Sequence, residues 1–250
     1  MPAQYARFLI GRQRSTAANR QLGLVLAFVA GAINAGGFLA VQQYTSHVTG
    51  MVSRVADQLV LGHLDLVGDA IVAVLAFLCG AMTCALLINF ARRKDLSSEY
   101  ALPLLLEAVL ILCFGLLGAQ LAHFETLLVP FTVLLLCFIM GLQNAIVTKL
   151  SNAVIRTTHM TGIVTDLGIE LGKLLYWNRD PSIPLRVRAD RDRLKVLGGL
   201  LACFLIGGIT GALGFKLVGY AFTIPIALLL AVMALVPAID DLQLSDRPRR

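Results

Sequence analysis

Residues 31–50 read GAINAGGFLAVQQYTSHVTG, and residues 141–162 read GLQNAIVTKLSNAVIRTTHMTG. Both stretches begin Gly-x-x-Asn-Ala, at Gly31, Asn34 and Ala35 and again at Gly141, Asn144 and Ala145. Both close on a Ser/Thr-His-x-Thr-Gly box: Ser46, His47, Thr49 and Gly50, then Thr158, His159, Thr161 and Gly162. Apolar sequence does not repeat a polar pattern of this kind by chance, so the chain is read as a duplication. A polar box duplicated inside membrane-like sequence points to a transporter-type binding site.

The surroundings of the boxes are membrane-like. The chain has 250 residues, 58% hydrophobic and only 14% charged, and its mean hydropathy is +0.80. A soluble domain of this length has too little interior to hide so much apolar surface, so a multi-span membrane protein is expected. The net charge of +6 is carried by short loops between apolar runs. There it reads as a topology signal and as contact with anionic lipid. No aromatic-basic interleaving accompanies it, so nucleic acid is not an expected partner. The five cysteines, Cys79, Cys84, Cys113, Cys137 and Cys203, all lie in apolar runs with no Cys-x-x-Cys pair. They read as packing residues, with neither a disulfide framework nor a metal site.

A span needs ~20 apolar residues at ~1.5 Å per residue. Six stretches qualify: 22–41, 66–90, 102–122, 127–148, 196–215 and 220–238. A basic start (Arg7, Arg12, Arg14, Arg20) before the first run, with Ala30-Gly31-Ala32 inside it, has the look of a signal peptide. The return of the Asn34 pattern deep in the chain argues for a retained helix instead. Loop 91–101 carries Arg92, Arg93 and Lys94, loop 176–195 carries six basic residues, and the tail carries Arg247, Arg249 and Arg250. With six spans all three fall on one side, which places both termini and the two basic loops in the cytoplasm.

Two remaining segments, 49–62 and 163–175, are too short to span and are amphipathic at helical spacing. Ser53, Arg54, Asp57 and Gln58 share one face of the first; Asp166, Glu170 and Lys173 share one face of the second. They are expected to be half-helices, re-entrant or interfacial. Thr49 and Thr161 are expected to cap them, and Gly50 and Gly162 to permit a turn or close backbone approach.

The repeat extends beyond the boxes. Phe77-Leu78-x-Gly80-x-x-Thr83-x-Ala85-Leu86 matches Phe204-Leu205-x-Gly207-x-x-Thr210-x-Ala212-Leu213, and Leu102-Pro103-Leu104 matches Ile224-Pro225-Ile226. Each unit, 22–122 and 127–238, is therefore span, box, half-helix, span, span. Three spans per unit is odd, so the second unit enters the membrane from the opposite side. The fold class is all-α integral membrane: six transmembrane helices and two half-helices in a 3+3 inverted repeat, one domain over 1–250.

Chemistry then falls to the polar residues. Asn34 and Asn144 sit in apolar helices, where an asparagine either contacts a solute or bonds across helices; Gln143 beside Asn144 favours a polar cavity. His47 and His159 are placed at opposite mouths, too far apart to share a metal ion. They serve either as proton or solute gates or as structural hydrogen-bonders. Arg54 and Asp166 are equivalent when the Thr-Gly pairs are aligned, with Asp57 and Glu170 nearby. Arg54–Asp57, Asp166–Lys173 and the cross-repeat Arg54–Asp166 are the candidate pairs, unless the charges simply face water. Glu107, a carboxylate in the third span, is a candidate coupling-proton carrier if it is desolvated. Gly207-x-x-x-Gly211 is a helix-packing pattern, not a nucleotide loop. No catalytic spacing and no cofactor motif stands out, so the expectation is a non-enzyme without cofactors.

At the boxes the chain resembles the YoaK-type family of bacterial multi-pass membrane proteins of unknown function. The resemblance is carried by Asn34-Ala35, Ser46-His47-Val48-Thr49-Gly50, Gly141-Leu142-Gln143-Asn144-Ala145 and Thr157-Thr158-His159-Met160-Thr161-Gly162. Met51 stands where that family often has Asn. The resemblance implies an inner-membrane protein over 20–240 and supplies no substrate. The reading is a secondary transporter of a small polar or anionic solute, proton-coupled rather than ATP-driven because no Walker motif exists. Membrane lipid and the solute are its partners, and a homo-oligomer is compatible with the sequence. A non-transporting scaffold or sensor is the competing class.

Overall fold

The computed structural model describes residues 15–96, 98–121, 124–150, 160–176 and 187–245. These residues form helices joined by short connections, with no strand among them. The helices are α1 (Thr16–Val41), α2 (Val48–Leu61), α3 (Leu64–Arg93), α4 (Ala101–Gln120), α5 (Glu125–Leu150), α6 (Met160–Leu175), α7 (Arg191–Val218) and α8 (Thr223–Ser245). A short 3-10 turn at Gly219–Phe222 joins the last two.

Five stretches are long and apolar enough to cross a membrane. Four are α1, α3, α4 and α5; the fifth, Arg191–Leu235, runs through α7, the turn and most of α8. Gly219, at φ +69°, divides it. That left-handed conformation is open to glycine and costly to most other residues. The two halves then pack on different partners, α7 on α1 and α8 on α4.

Capping explains where two helices start. The Ser15 side chain accepts from the Ala18 N–H at 3.1 Å, which begins α1 ahead of its apolar run. The Asp190 carboxylate accepts from the N–H groups of Asp192 and Arg193, both at 3.0 Å. This starts α7 at Arg191 and takes charged residues, expected in a loop, into the helix.

α2 is about 21 Å long and the described part of α6 about 24 Å, at ~1.5 Å per residue; the hydrocarbon core is ~30 Å. The expected caps differ. His47 is the N-cap of α2 and makes no side-chain capping bond, so Thr49 lies inside the first turn. α6 begins at Met160, which places Thr161 and Gly162 within the helix. α2 packs on α3 without burying a residue, whereas α6 packs on α7 and buries Ile163 and Glu170.

The longest interfaces are α1 with α7, α3 with α5, and α4 with α8. In lipid the association of apolar helices depends on close van der Waals fit rather than escape from water, so small residues decide where helices meet. A side chain at Gly31 would run into the Phe204 carbonyl, and one at Gly207 into the Phe28 carbonyl. Likewise one at Gly141 would strike the Phe77 carbonyl, and one at Gly80 the Phe138 carbonyl. Gly37 lies at the Leu136 side chain, while the Gln143 Nε2 donates to the Leu26 carbonyl at 3.1 Å. α1 and α5 therefore run antiparallel.

Aromatic rings close the junction of α4, α7 and the turn. Phe114, Phe215, Tyr220 and Phe222 meet at centroid distances of 5.6–6.2 Å. Away from these interfaces the long helices are apolar outward. Leu75, Leu78, Met82 and Leu86 on α3 and Ile206, Leu213 and Leu217 on α7 are exposed, as a lipid-facing surface requires.

Candidate functional site

Residues of both boxes border one cavity of about 1070 Å³. α1 contributes Asn34, the segment after it contributes Ser46 and His47, and the first turn of α2 contributes Thr49. α5 contributes Asn144 and Thr148, and the first turn of α6 contributes Thr161. The two sequence-identified halves thus meet at a single space.

The first half is built by a chain reversal. α1 ends at Gln42, which is left-handed at φ 53°, and its N–H caps the helix on the Phe38 carbonyl. Tyr44 then stacks on Phe38 with ring centroids 4.7 Å apart, and Thr45 is buried. This folds the box back against α1, where the Ser46 hydroxyl donates to the Asn34 Oδ1 at 2.8 Å. The His47 ring lies over Gly50, leaving no room there for a side chain. α2 then begins with the N–H groups of Thr49 and Gly50 lacking a backbone acceptor among the described residues, as the first turn of a helix leaves them.

Bonds within its own helices shape the described part of the second half. The Asn144 Nδ2 donates to the Met140 carbonyl at 3.0 Å. The Thr148 hydroxyl donates to the Asn144 carbonyl at 2.7 Å, and Thr165 to the Thr161 carbonyl at 2.8 Å. Thr158 and His159 lie outside the described residues.

The other candidates are placed elsewhere. Gln143 is fully buried on the α1 side of α5. Unlike Asn144, the next residue along the helix, it does not border the cavity. Its Oε1 has no hydrogen-bond partner among the described residues. Gly50 and Gly162 do not border the cavity. Arg54 and Asp57 are exposed on α2, and Arg54 reaches the Gln43 side chain at 3.5 Å. Glu107 is fully buried in α4, away from the cavity, with both carboxylate oxygens unpartnered among the described residues.

The expected ion pairs are replaced by others. Asp166 pairs with Arg193 of α7 at 3.0 Å rather than with Arg54 or Lys173. Lys173 pairs instead with Glu170 at 2.8 Å, one turn away on the same face, and Arg193 approaches Glu170 at 3.7 Å. The Asp190 N–H also donates to Glu170 at 2.9 Å. The Lys173 hydrogen bond, and then the Asp190 N–H, hold the Glu170 carboxyl below the usual carboxylate range. These contacts clamp α6 to the start of α7. Arg193 was hidden from sequence reading among the basic residues of the loop, which carry a topology signal whether or not they pair.

Sequence reading also missed the apolar walls. Phe38, Phe77, Phe204, Leu205 and Ile209 border the cavity. Phe77 and Phe204 were visible as repeat-equivalent residues, but nothing in an all-apolar helix marks which side faces a cavity rather than lipid.

One sequence relative is the UPF0700 transmembrane protein YoaK of Bacillus subtilis (strain 168). It is 25% identical over 211 residues, covering 84% of this chain and 90% of the relative. No solved structure matches the chain. The profile of the family described as protein of unknown function (DUF1275) matches residues 22–236, and the chain is a transmembrane member of that family.

Proposed function

We propose that the protein is a secondary transporter of a small polar or anionic solute. The observation that carries this reading is the single cavity bordered by Asn34, Ser46, His47 and Thr49 from one box and Asn144 and Thr161 from the other. Each of these groups can orient a solute, and two short helices begin at the cavity wall, as in transporters built on discontinuous helices.

The reading includes six crossings in a 3+3 inverted repeat, in a bacterial inner membrane with both termini cytoplasmic. The contacts support it by their reciprocity: Gly31 meets Phe204 while its counterpart Gly141 meets Phe77, and Gly207 meets Phe28 while Gly80 meets Phe138. The antiparallel course of α1 and α5 is what an inversion of one unit on the other requires. Glu107, buried without a partner among the described residues, is the acid that carries a coupling proton. The Asp166–Arg193–Glu170 cluster holds α6 at one end of the cavity. Lipid covers the outer face, and the arrangement leaves room for a homo-oligomer.

The competing reading, a non-transporting scaffold or sensor, draws on the Ser46–Asn34 bond, which satisfies box residues internally. Solute profiling of a deletion strain, complemented with wild type, Asn34→Ala or Asn144→Ala, separates the two. The transporter reading expects a solute whose uptake or export is restored by wild type alone, at equal membrane levels of all three proteins. Full activity of a folded Asn34→Ala/Asn144→Ala double variant would remove these residues from the site, and a solute profile unchanged by the deletion would overturn the transporter reading.

A further inference from the structure

We infer that the cavity takes an uncharged amphiphile: a solute with an apolar body and a hydroxyl or amide group, rather than an ion. This narrows the solute class and rests on reading the cavity as the transport site.

No Lys, Arg, Asp or Glu borders the cavity among the described residues. On the two short helices, Arg54 bonds Gln43, and Asp166 and Glu170 pair with Arg193 and Lys173. An ion taken from water into such a space loses its hydration and meets no carboxylate, ammonium or guanidinium among the described walls. The free N–H groups at the start of α2 offer an anion about half a charge, which is less than a paired cation supplies. They serve equally as donors to a neutral carbonyl or hydroxyl.

The polar atoms that are present suit a neutral partner. Asn34 accepts from Ser46 through its Oδ1, which leaves its amide N–H groups as donors. Thr148, which borders the cavity, spends its proton on the Asn144 carbonyl, so its oxygen can only accept. A hydroxyl or primary amide both gives and takes hydrogen bonds and so matches this pair; a carboxylate only takes them. The rings of Phe38, Phe77 and Phe204, with Leu205 and Ile209, receive an apolar body. A volume of about 1070 Å³ is at the upper end of small-molecule sites, ~300–1,000 Å³, so the body can extend to several rings or a long chain.

The test uses two probes with the same ring skeleton, N-phenyl-1-naphthylamine (neutral) and 8-anilino-1-naphthalenesulfonate (anionic). Each is titrated fluorimetrically into the full chain in phosphatidylcholine nanodiscs, with empty nanodiscs subtracted. The expected result is saturable binding of the neutral probe, about tenfold or more tighter than the anionic one. That component should be lost in Ala212→Trp and in Ile209→Trp, which place a ring in the cavity, at unfolding midpoints close to wild type. Tighter binding of the sulfonate, no saturable binding of either probe, or neutral binding untouched by both tryptophans would overturn the inference. Tighter sulfonate binding would leave the transport reading intact. Conversely, neutral binding in nanodiscs together with a solute profile unchanged by deletion of the protein would remove the transport reading and leave the solute class standing.

Discussion

Gly31 of α1 lies directly against the main-chain carbonyl of Phe204 in α7, so close that no side chain fits between them. The same relationship joins Gly141 and Phe77 between α5 and α3. Because the obstacle is backbone, it cannot swing aside as a side chain would. Gly31→Ala and Gly141→Ala should each force the helices apart, at a cost on the order of 1–3 kcal/mol. Gly198→Ala, where a new methyl meets nothing within 4 Å, should be neutral or slightly stabilising, since alanine is the better helix former. Thermal unfolding of the detergent-solubilised variants checks this; equal midpoints for Gly31→Ala and Gly198→Ala would contradict the close packing.

Gln143 and Asn144 should separate sharply. Gln143→Leu removes one interhelical bond, worth about 0.6 kcal/mol in membrane helices, and also removes an unpartnered buried oxygen. Folding should change little and solute handling not at all. Asn144→Leu alters the cavity wall and should abolish transport while leaving membrane levels unchanged. Uptake assays on both variants decide the assignment, and comparable losses for the two would return Gln143 to the site.

The docking of α6 should depend on pH through Glu170. Its carboxyl is held below the usual range by Lys173 and the Asp190 N–H, so its folded value is lower than its unfolded one. The stabilisation is therefore fully present above the unfolded value, about 4.3, and is lost as pH falls through the depressed folded value. A nitroxide at Leu171, in a cysteine-free background, should gain mobility over that acidic window. In Glu170→Gln it should be mobile at neutral pH and insensitive to acid. A mobility profile identical in the two proteins would show that Glu170 does not hold the helix.

Topology follows from the loop charges. Reporter fusions after residues 95, 124 and 185 should report inside, outside and inside, with the full-length chain ending inside. An external signal at 185 would break the inverted repeat.

The helices, their approximate bounds and the duplicated boxes were legible because each depends on local pattern: apolar run length, cap chemistry and the recurrence of Asn34 and Asn144 in otherwise apolar sequence. Differences appear where a local rule met a tertiary one. Thr49 yielded the cap position to His47 once the box folded back onto Asn34. α7 started early because Asp190 caps it. In place of a pair between Arg54 and Asp166, Asp166 meets Arg193 of α7 and Arg54 reaches Gln43.

By itself, then, the sequence determined a helical membrane protein with two related polar boxes, since run length and composition are properties of the chain alone. Only the tertiary structure decided that both boxes border one cavity, that Gln143 turns away from it, and that Phe38, Phe77 and Phe204 wall it. The reason is physical. In a soluble helix water marks the outer face, but in a bilayer lipid and protein interior are both apolar. The facing of each helix is then set by contacts such as Gly31 on Phe204, between residues far apart in the chain.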